Sequence, residues 1–243
     1  MSNIECGACG QIGHNKRNQL CISSVIKRNL LKMDTFTHTY PYYIESLKYI
    51  IMNNPGKICV VKQQISWVNG KLHGIENLSI ISKCKLRYVY IKFNITDGNT
   101  SHANSLIVDQ KNRSITRYEP HGIFNPYPFL DNELTLHVAM IGYNYIQPID
   151  YCFAVGMQSA AEDTRGMCQT VVLYNLMVSL DPNSGSYREG IYKNTTVAAS
   201  ELKRVVVIFL TNIYFKLPIN LRDVFLDYNN ASIFAKGTIR NHL

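Results

Sequence analysis

The sequence predicts an α+β fold, and three observations carry the prediction. A β-hairpin pattern runs from Ser105 to Tyr118: an apolar, partly β-branched segment to Asp109, a polar turn, then Ile115 to Tyr118, stopped by Pro120 and Gly122. An alternating segment, Leu86 to Ile95, precedes it. Apolar residues recur at helical spacing in three other stretches: residues 41–54, Thr170 to Leu180 and residues 198–215.

Taken in order, PYYIESLKYIIMNN at 41–54 opens on Pro and ends before Pro-Gly, which predicts a helix. Residues 57–68 read as a strand pair, or as one strand and a turn around Trp67. Asn69-Gly70 is a strong turn signal. Residues 75–96 read as two strands, Leu78 to Ile81 and Leu86 to Ile95, and Thr96 to Ser101 as a polar loop that delivers His102. After the hairpin, residues 123–165 read as a connecting region. It holds a helix at Leu134 to Met140 and short strands at Tyr145-Ile146 and Tyr151 to Phe153. Thr170 to Leu180 reads as a buried helix with Cys168 at its N-terminus, and residues 198–215 as a helix packed on the sheet, starting near Thr196 or Ser200. Residues 216–243 are a weakly patterned tail.

Composition narrows the function. At 46% hydrophobic and 17% charged, 243 residues suffice for one large domain with a real core. The charge of +8 favours polyanionic partners, nucleic acid among them. No apolar stretch has the length of a membrane span, and the polar N-terminus predicts no signal peptide. Seven cysteines, an odd number, then read as reduced thiols, with Cys59, Cys84 and Cys152 in the core. There is no repeat and no phosphate-binding glycine loop.

The hairpin has a chemical consequence. A loop at Lys111-Asn112 pairs Gln110 with Arg113, so partner numbers sum to 223. His102 then falls opposite His121, and Glu119 opposite Asn104, on the face that His102 shares. Asp109 has the wrong parity for His102. A carboxylate beside an imidazole fixes its tautomer and raises its basicity. Cys168 at a helix N-terminus favours a thiolate. Singly, each of these residues reads as structural; as the ordered set His102, Glu119, Cys168 they read as catalytic. His38, His73, His121, His137 and His242 have no partner pattern and read as surface or core residues.

These residues resemble the adenovirus protease (adenain) family and, more loosely, the SUMO-specific proteases. Here 119 − 102 = 17, the interval those families show, and 168 − 119 = 49 is also of family size. Tyr118-Glu119-Pro120-His121-Gly122 matches the adenain-like segment, and similar HAN and EPHG segments occur in predicted proteins of large DNA viruses. The match covers about residues 85–180. It departs at Ala103, where the families have Trp, and at Met167-Cys168-Gln169. The oxyanion-hole Gln also lies further off, at Gln158, with 168 − 158 = 10, so an insertion in the loop Ser159 to Gly166 absorbs the difference. The resemblance implies a papain-like cysteine protease fold of the adenain and SUMO-protease type over residues 41–243. It implies Cys168 as nucleophile, His102 as base, Glu119 as its orienting acid, and Gln158 with the Cys168 amide as oxyanion donors. The substrate it implies is a protein or peptide cut after small residues, chiefly in virion maturation. The location is the virion or the host cytoplasm or nucleus, without secretion and without a membrane partner. Two alternatives stand beside it: a protease for ubiquitin-like proteins, and an inactive nucleic-acid-binding virion protein.

Residues 1–22 form a separate segment, CGACGQIGHNKRNQLC, joined through 23–40, a linker or short basic helix. Cys6, Cys9 and His14 match the opening of a CCHC zinc knuckle, with Cys21 as fourth ligand. The last gap is longer than in knuckles, six residues between His14 and Cys21. The resemblance implies one structural zinc and, through Lys16 and Arg17 on phosphate and Ile12 on a base, binding of single-stranded nucleic acid. A protein-binding knuckle, a degenerate knuckle and a free tail are the competing readings.

Overall fold

Among the described residues, six strands form one mixed sheet, and helices cover both of its faces. The structure is a computed structural model; it describes residues 40–98, 100–122, 127–152, 156, 168–181 and 195–216. The strands are β1 (Ile58–Val68), β2 (Lys71–His73), β3 (Tyr88–Asp97), β4 (Thr100–Asp109), β5 (Ser114–Tyr118) and β6 (Asn144–Ile146). Their order across the sheet is β2-β1-β3-β4-β5-β6. The pairs β1–β3 and β5–β6 are parallel and the other three are antiparallel. The helices are α1 (Tyr40–Asn53), α2 (Pro128–Met140), the single turn α3 (Pro148–Tyr151), α4 (Cys168–Ser179) and α5 (Thr195–Lys216). The α+β class is therefore as the sequence predicts.

Alternation along the central strands divides the core in two. Val89, Ile91, Phe93 and Ile95 of β3 join Leu106 and Val108 of β4 and Leu130, Leu134 and Val138 of α2 on one face. Tyr90 and Ile107 meet α1, α4 and α5 on the other. β3 and β4 are covered on both sides, so apolar residues of each strand are buried on both faces. In α4 every residue from Cys168 to Leu173 is buried, and so are Tyr174, Asn175 and Leu176. It is the central helix, enclosed by α1, α5 and the sheet. Helix α1 ends where Asn54 Nδ2 donates to the Ile50 carbonyl at 3.0 Å, just ahead of Gly56 at positive φ.

The turns explain the register. Asn69 and Gly70 both have positive φ and join Val68 to Lys71, the two-residue hairpin their sequence demands. Between β4 and β5 the register is the one expected, Ser105↔Tyr118 through Asp109↔Ser114, all summing to 223. The loop is longer than two residues: Asp109 Oδ1 accepts the N–H groups of Lys111 (3.0 Å) and Asn112 (3.3 Å), and Arg113 adopts a left-handed φ.

Four expectations need correction. Leu78 to Ile81 is no strand: Ile75–Lys83 is a 3-10 helix, whose period of three puts Leu78 and Ile81 in the core. Gly74 starts it at φ 73, and a Cβ there would lie 2.7 Å from the Gln64 carbonyl oxygen. Thr96 to Ser101 is no loop, since Ile95↔His102 and Asp97↔Thr100 pair on β3 and β4. Tyr151 ends the helical turn α3, set up by Pro148 at its start. Cys59 and Cys84 are not reduced but joined in a disulfide, because the 3-10 helix returns the chain to β1 and leaves their Cα atoms 6.3 Å apart. The N-terminal segment with Cys6, Cys9, His14, Lys16, Arg17 and Cys21 lies outside the described residues, as do Gln158 and residues 217–243. Among the described residues no helix is long and apolar enough to cross a membrane.

The disulfide closes a sequence separation of 25 residues. By loop-closure entropy its loss costs about 3 kcal/mol. Urea unfolding of Cys84→Ser should show that deficit against the oxidised protein, and none against the protein in excess reductant.

Candidate active site

The site lies where β5 leaves off. Pro120 has no N–H for a ladder, and β5 ends at Tyr118, opposite Ser105. On its other side β4 stays paired with β3 as far as Thr100. The edge of β4 from Thr100 to Asn104 is therefore free of β5, and His102 sits on it. The Ala103 N–H donates to Cys168 Sγ at 3.3 Å, so the sulfur at the head of α4 occupies the position a longer β5 would fill. Glu119, just past the strand, comes back onto His102 with Oε1 2.6 Å from Nε2. His102, Glu119 and Cys168 thus meet from β4, the end of β5 and α4. Asp109, at the far end of β4, pairs with Arg87 at 2.8 Å.

Burial and bonding set the charges. Burial alone would push the His102 pKa down; hydrogen bonds to Cys168 and Glu119, with the negative charges there, outweigh it and raise it to about 9. Because Nε2 is engaged by Glu119, Nδ1 is the nitrogen left for the sulfur. Burial pushes the Glu119 carboxyl up, yet the hydrogen bond and charge of His102, then Arg117 and the His121 N–H, hold it below the usual range. The site therefore favours the imidazolium form of His102 beside the Glu119 carboxylate.

Sequence reasoning missed what stands behind Glu119. Arg117 is 0% exposed. Its Nε and Nη2 each donate to Asp131 of α2 at 2.9 Å, side-on and bidentate. Nη1 donates to Asn104 Oδ1 at 2.7 Å and reaches Glu119 Oε2 at 3.4 Å. Tyr145 of β6 donates to Asp131 at 2.6 Å. The signal was present: Arg117 shares the inward face with Leu106, two residues before Glu119. An arginine in a strand ordinarily reads as solvent-facing.

His121 also has a partner. Its ring stacks on His102 with centroids 4.5 Å apart, and its N–H donates to Glu119 Oε1 at 3.0 Å. Burial and the His102 charge lower its pKa, so it stays neutral beside the imidazolium. The Glu119 N–H in turn meets Cys152 Sγ at 3.4 Å. Gly156 donates to the His121 carbonyl at 3.0 Å, and a Cβ there would overlap the backbone of Pro120, His121 and Gly122. Among the described residues no group of three or more His, Cys, Asp or Glu side chains is placed to hold a metal ion.

No protein-family model matches this chain, and neither the curated proteins nor the solved structures give a match.

Two predictions follow from the charges. Replacing Arg117 by Met leaves Asp131 buried without its cation, which should cost about 3–5 kcal/mol in chemical denaturation. The raised pKa of His102 means the folded state holds its proton more tightly than the unfolded chain, whose value is near 6.5. That stabilisation is complete below about pH 6.5 and is lost as pH rises towards 9. An NMR titration should place the His102 midpoint near 9, and His102→Gln should remove the corresponding slope in stability against pH.

Proposed function

We propose that the chain is a cysteine endopeptidase of the papain-like type that its sequence resembles, cutting protein substrates after small residues such as Gly. The observation that carries the reading is the meeting of an imidazole, a carboxylate at 2.6 Å and a helix-N-terminal sulfur from three separate elements. A buried carboxylate, held below the usual range and aimed at a histidine edge, has a clear use in fixing the ring for a nucleophile.

In this reading the Cys168 thiolate attacks the substrate carbonyl carbon. The oxyanion that forms is met by backbone N–H at the head of α4, where the helix dipole favours negative charge. Imidazolium His102 gives its proton to the leaving amine and the peptide bond breaks, leaving a thioester. Neutral His102 then takes a proton from water, which attacks the thioester carbon and expels the sulfur as thiolate. Glu119 keeps Nε2 occupied throughout, so Nδ1 does the transfer. Structural precursors of a virus particle are the substrates the resemblance suggests, with ubiquitin-like tails second.

Hydrolysis of a Gly-containing peptide library is the test. Cys168→Ala should abolish cleavage, and Cys168→Ser should fail at neutral pH, because a hydroxyl is far less nucleophilic than a thiolate. For the wild type, kcat/KM should fall on the alkaline side with a midpoint near 9, as His102 loses the proton that the leaving amine needs. Cleavage retained by Cys168→Ala would move the nucleophile elsewhere.

A further inference from the structure

The neighbourhood of Cys168 holds a second cation that the peptidase steps leave unused. Lys92 on β3 lies opposite Ser105 of β4, and its neighbour Asn94 lies opposite Ala103, whose N–H holds the Cys168 sulfur. By strand alternation Lys92 shares a face with Tyr90, the face that α1, α4 and α5 cover. Its Nζ stands 4.6 Å from the centroid of the Tyr43 ring on α1. The adjacent Tyr42 hydroxyl bonds Thr170 Oγ1, in the first turn of α4, at 2.9 Å. The Lys92 ammonium therefore sits in the corner between β3, α1 and the N-terminus of α4.

That corner is a poor place for an uncompensated cation. Lys92 is half-buried, and among the described residues it makes no ion pair with a carboxylate. The N-terminal end of α4 is itself electropositive. The Tyr43 face offsets part of the desolvation, but an anion offsets more. Among the described residues, the acidic group at this end of α4 is Cys168. Burial draws the Lys92 pKa below its ordinary value, and negative charge on Cys168 draws it back up.

We propose that Lys92 is a positioning residue that holds the Cys168 sulfur as a thiolate by its charge, independently of His102. The proposal rests on the reading of Cys168 as the nucleophile. Among the described residues, the charged and titratable groups around this corner are His102 on β4, with Glu119 and His121 behind it and Arg117 and Cys152 beyond Glu119, Lys92 on β3, and the phenols Tyr42 and Tyr43 on α1; Gln169 and Thr170 in the first turn of α4 carry no charge. The two cations differ in one respect. His102 surrenders its proton when the amine leaves, so the acyl-enzyme has a neutral imidazole. Lys92 keeps its charge and stabilises the sulfur again when water attack breaks the thioester carbon–sulfur bond and returns the electron pair to sulfur.

The test is the rate of iodoacetamide alkylation at Cys168, read by peptide mass spectrometry on the full chain between pH 5 and 9. The variants are Lys92→Met, Lys92→Arg, His102→Gln and the Lys92→Met/His102→Gln double variant. Lys92→Met should slow alkylation at pH 6 about tenfold while leaving the rate at pH 9 near wild type. Lys92→Arg should keep most of the wild-type rate, and the double variant should be slower at pH 6 than either single one. Lys92→Gln replaces the methionine variant if circular dichroism shows the latter unfolded. A folded neutral variant with the wild-type profile overturns the proposal, and so does an arginine variant as slow as the neutral one. A wild-type Cys168 that follows the profile of free glutathione overturns the nucleophile reading itself.

Discussion

A guanidinium sealed from water dictates much of this structure. Arg117 must place five N–H donors inside the protein, because an unpaired buried charge costs several kcal/mol. Its partners come from four directions: Asp131 on α2, Asn104 on β4, Glu119 beyond β5, and Tyr145 on β6. Such a cluster adds little net stability, since desolvation offsets most of the Coulomb gain. What it supplies is geometry. Glu119 has Oε2 turned to Arg117 and Oε1 to His102 and the His121 N–H, so its carboxylate has no freedom to rotate away. The orientation of His102 depends on that carboxylate, and the sulfur depends on His102.

The second constraint is a mismatch of strand lengths. β4 has ten residues and β5 five. Had β5 continued, its backbone would have satisfied the Ala103 N–H and closed the edge on which His102 stands. Pro120 ends the pairing instead, and the head of α4 supplies the sulfur as acceptor. A helix buried along most of its length thereby presents its first residue where the β4–β5 ladder stops short of the end of β4. The geometry of the candidate site is a by-product of that termination, held rigid because His102 is paired with Ile95 on the other side.

Much of this was legible in the sequence. The period of two in β4 and β5, with a polar turn between them, fixed the register from Ser105↔Tyr118 to Asp109↔Ser114; the expected pairs Asn104↔Glu119 and His102↔His121 do not form, because β5 stops at Tyr118, and Glu119 meets His102 from just past the strand. Thr170 to Leu180 announced α4 through its largely apolar run. The misses have physical causes. Leu78 to Ile81 is a short apolar run whose period is undecided at that length, and Gly74 with positive φ decided it in favour of a 3-10 helix. Cys59 and Cys84 carry no spacing signal, since their approach depends on that helix. Arg117 and Lys92 look like surface charges in a strand. Only the covering of both sheet faces, by α2 on one side and α1 and α4 on the other, makes them internal. His121 was aligned with His102 by register, but its stacking depends on the turn after Pro120.

The account turns on whether Cys168 is activated by this arrangement or is merely a buried thiol. A peptidyl vinyl sulfone with Gly next to the warhead tests that directly, with adduct sites mapped by mass spectrometry on the native protein and on protein unfolded in urea. The account predicts rapid, stoichiometric labelling of Cys168 in the native state, none of comparable rate at Cys152, and loss of labelling on unfolding or in Glu119→Gln. Labelling that is slow in the native protein and accelerates when the chain unfolds would contradict it.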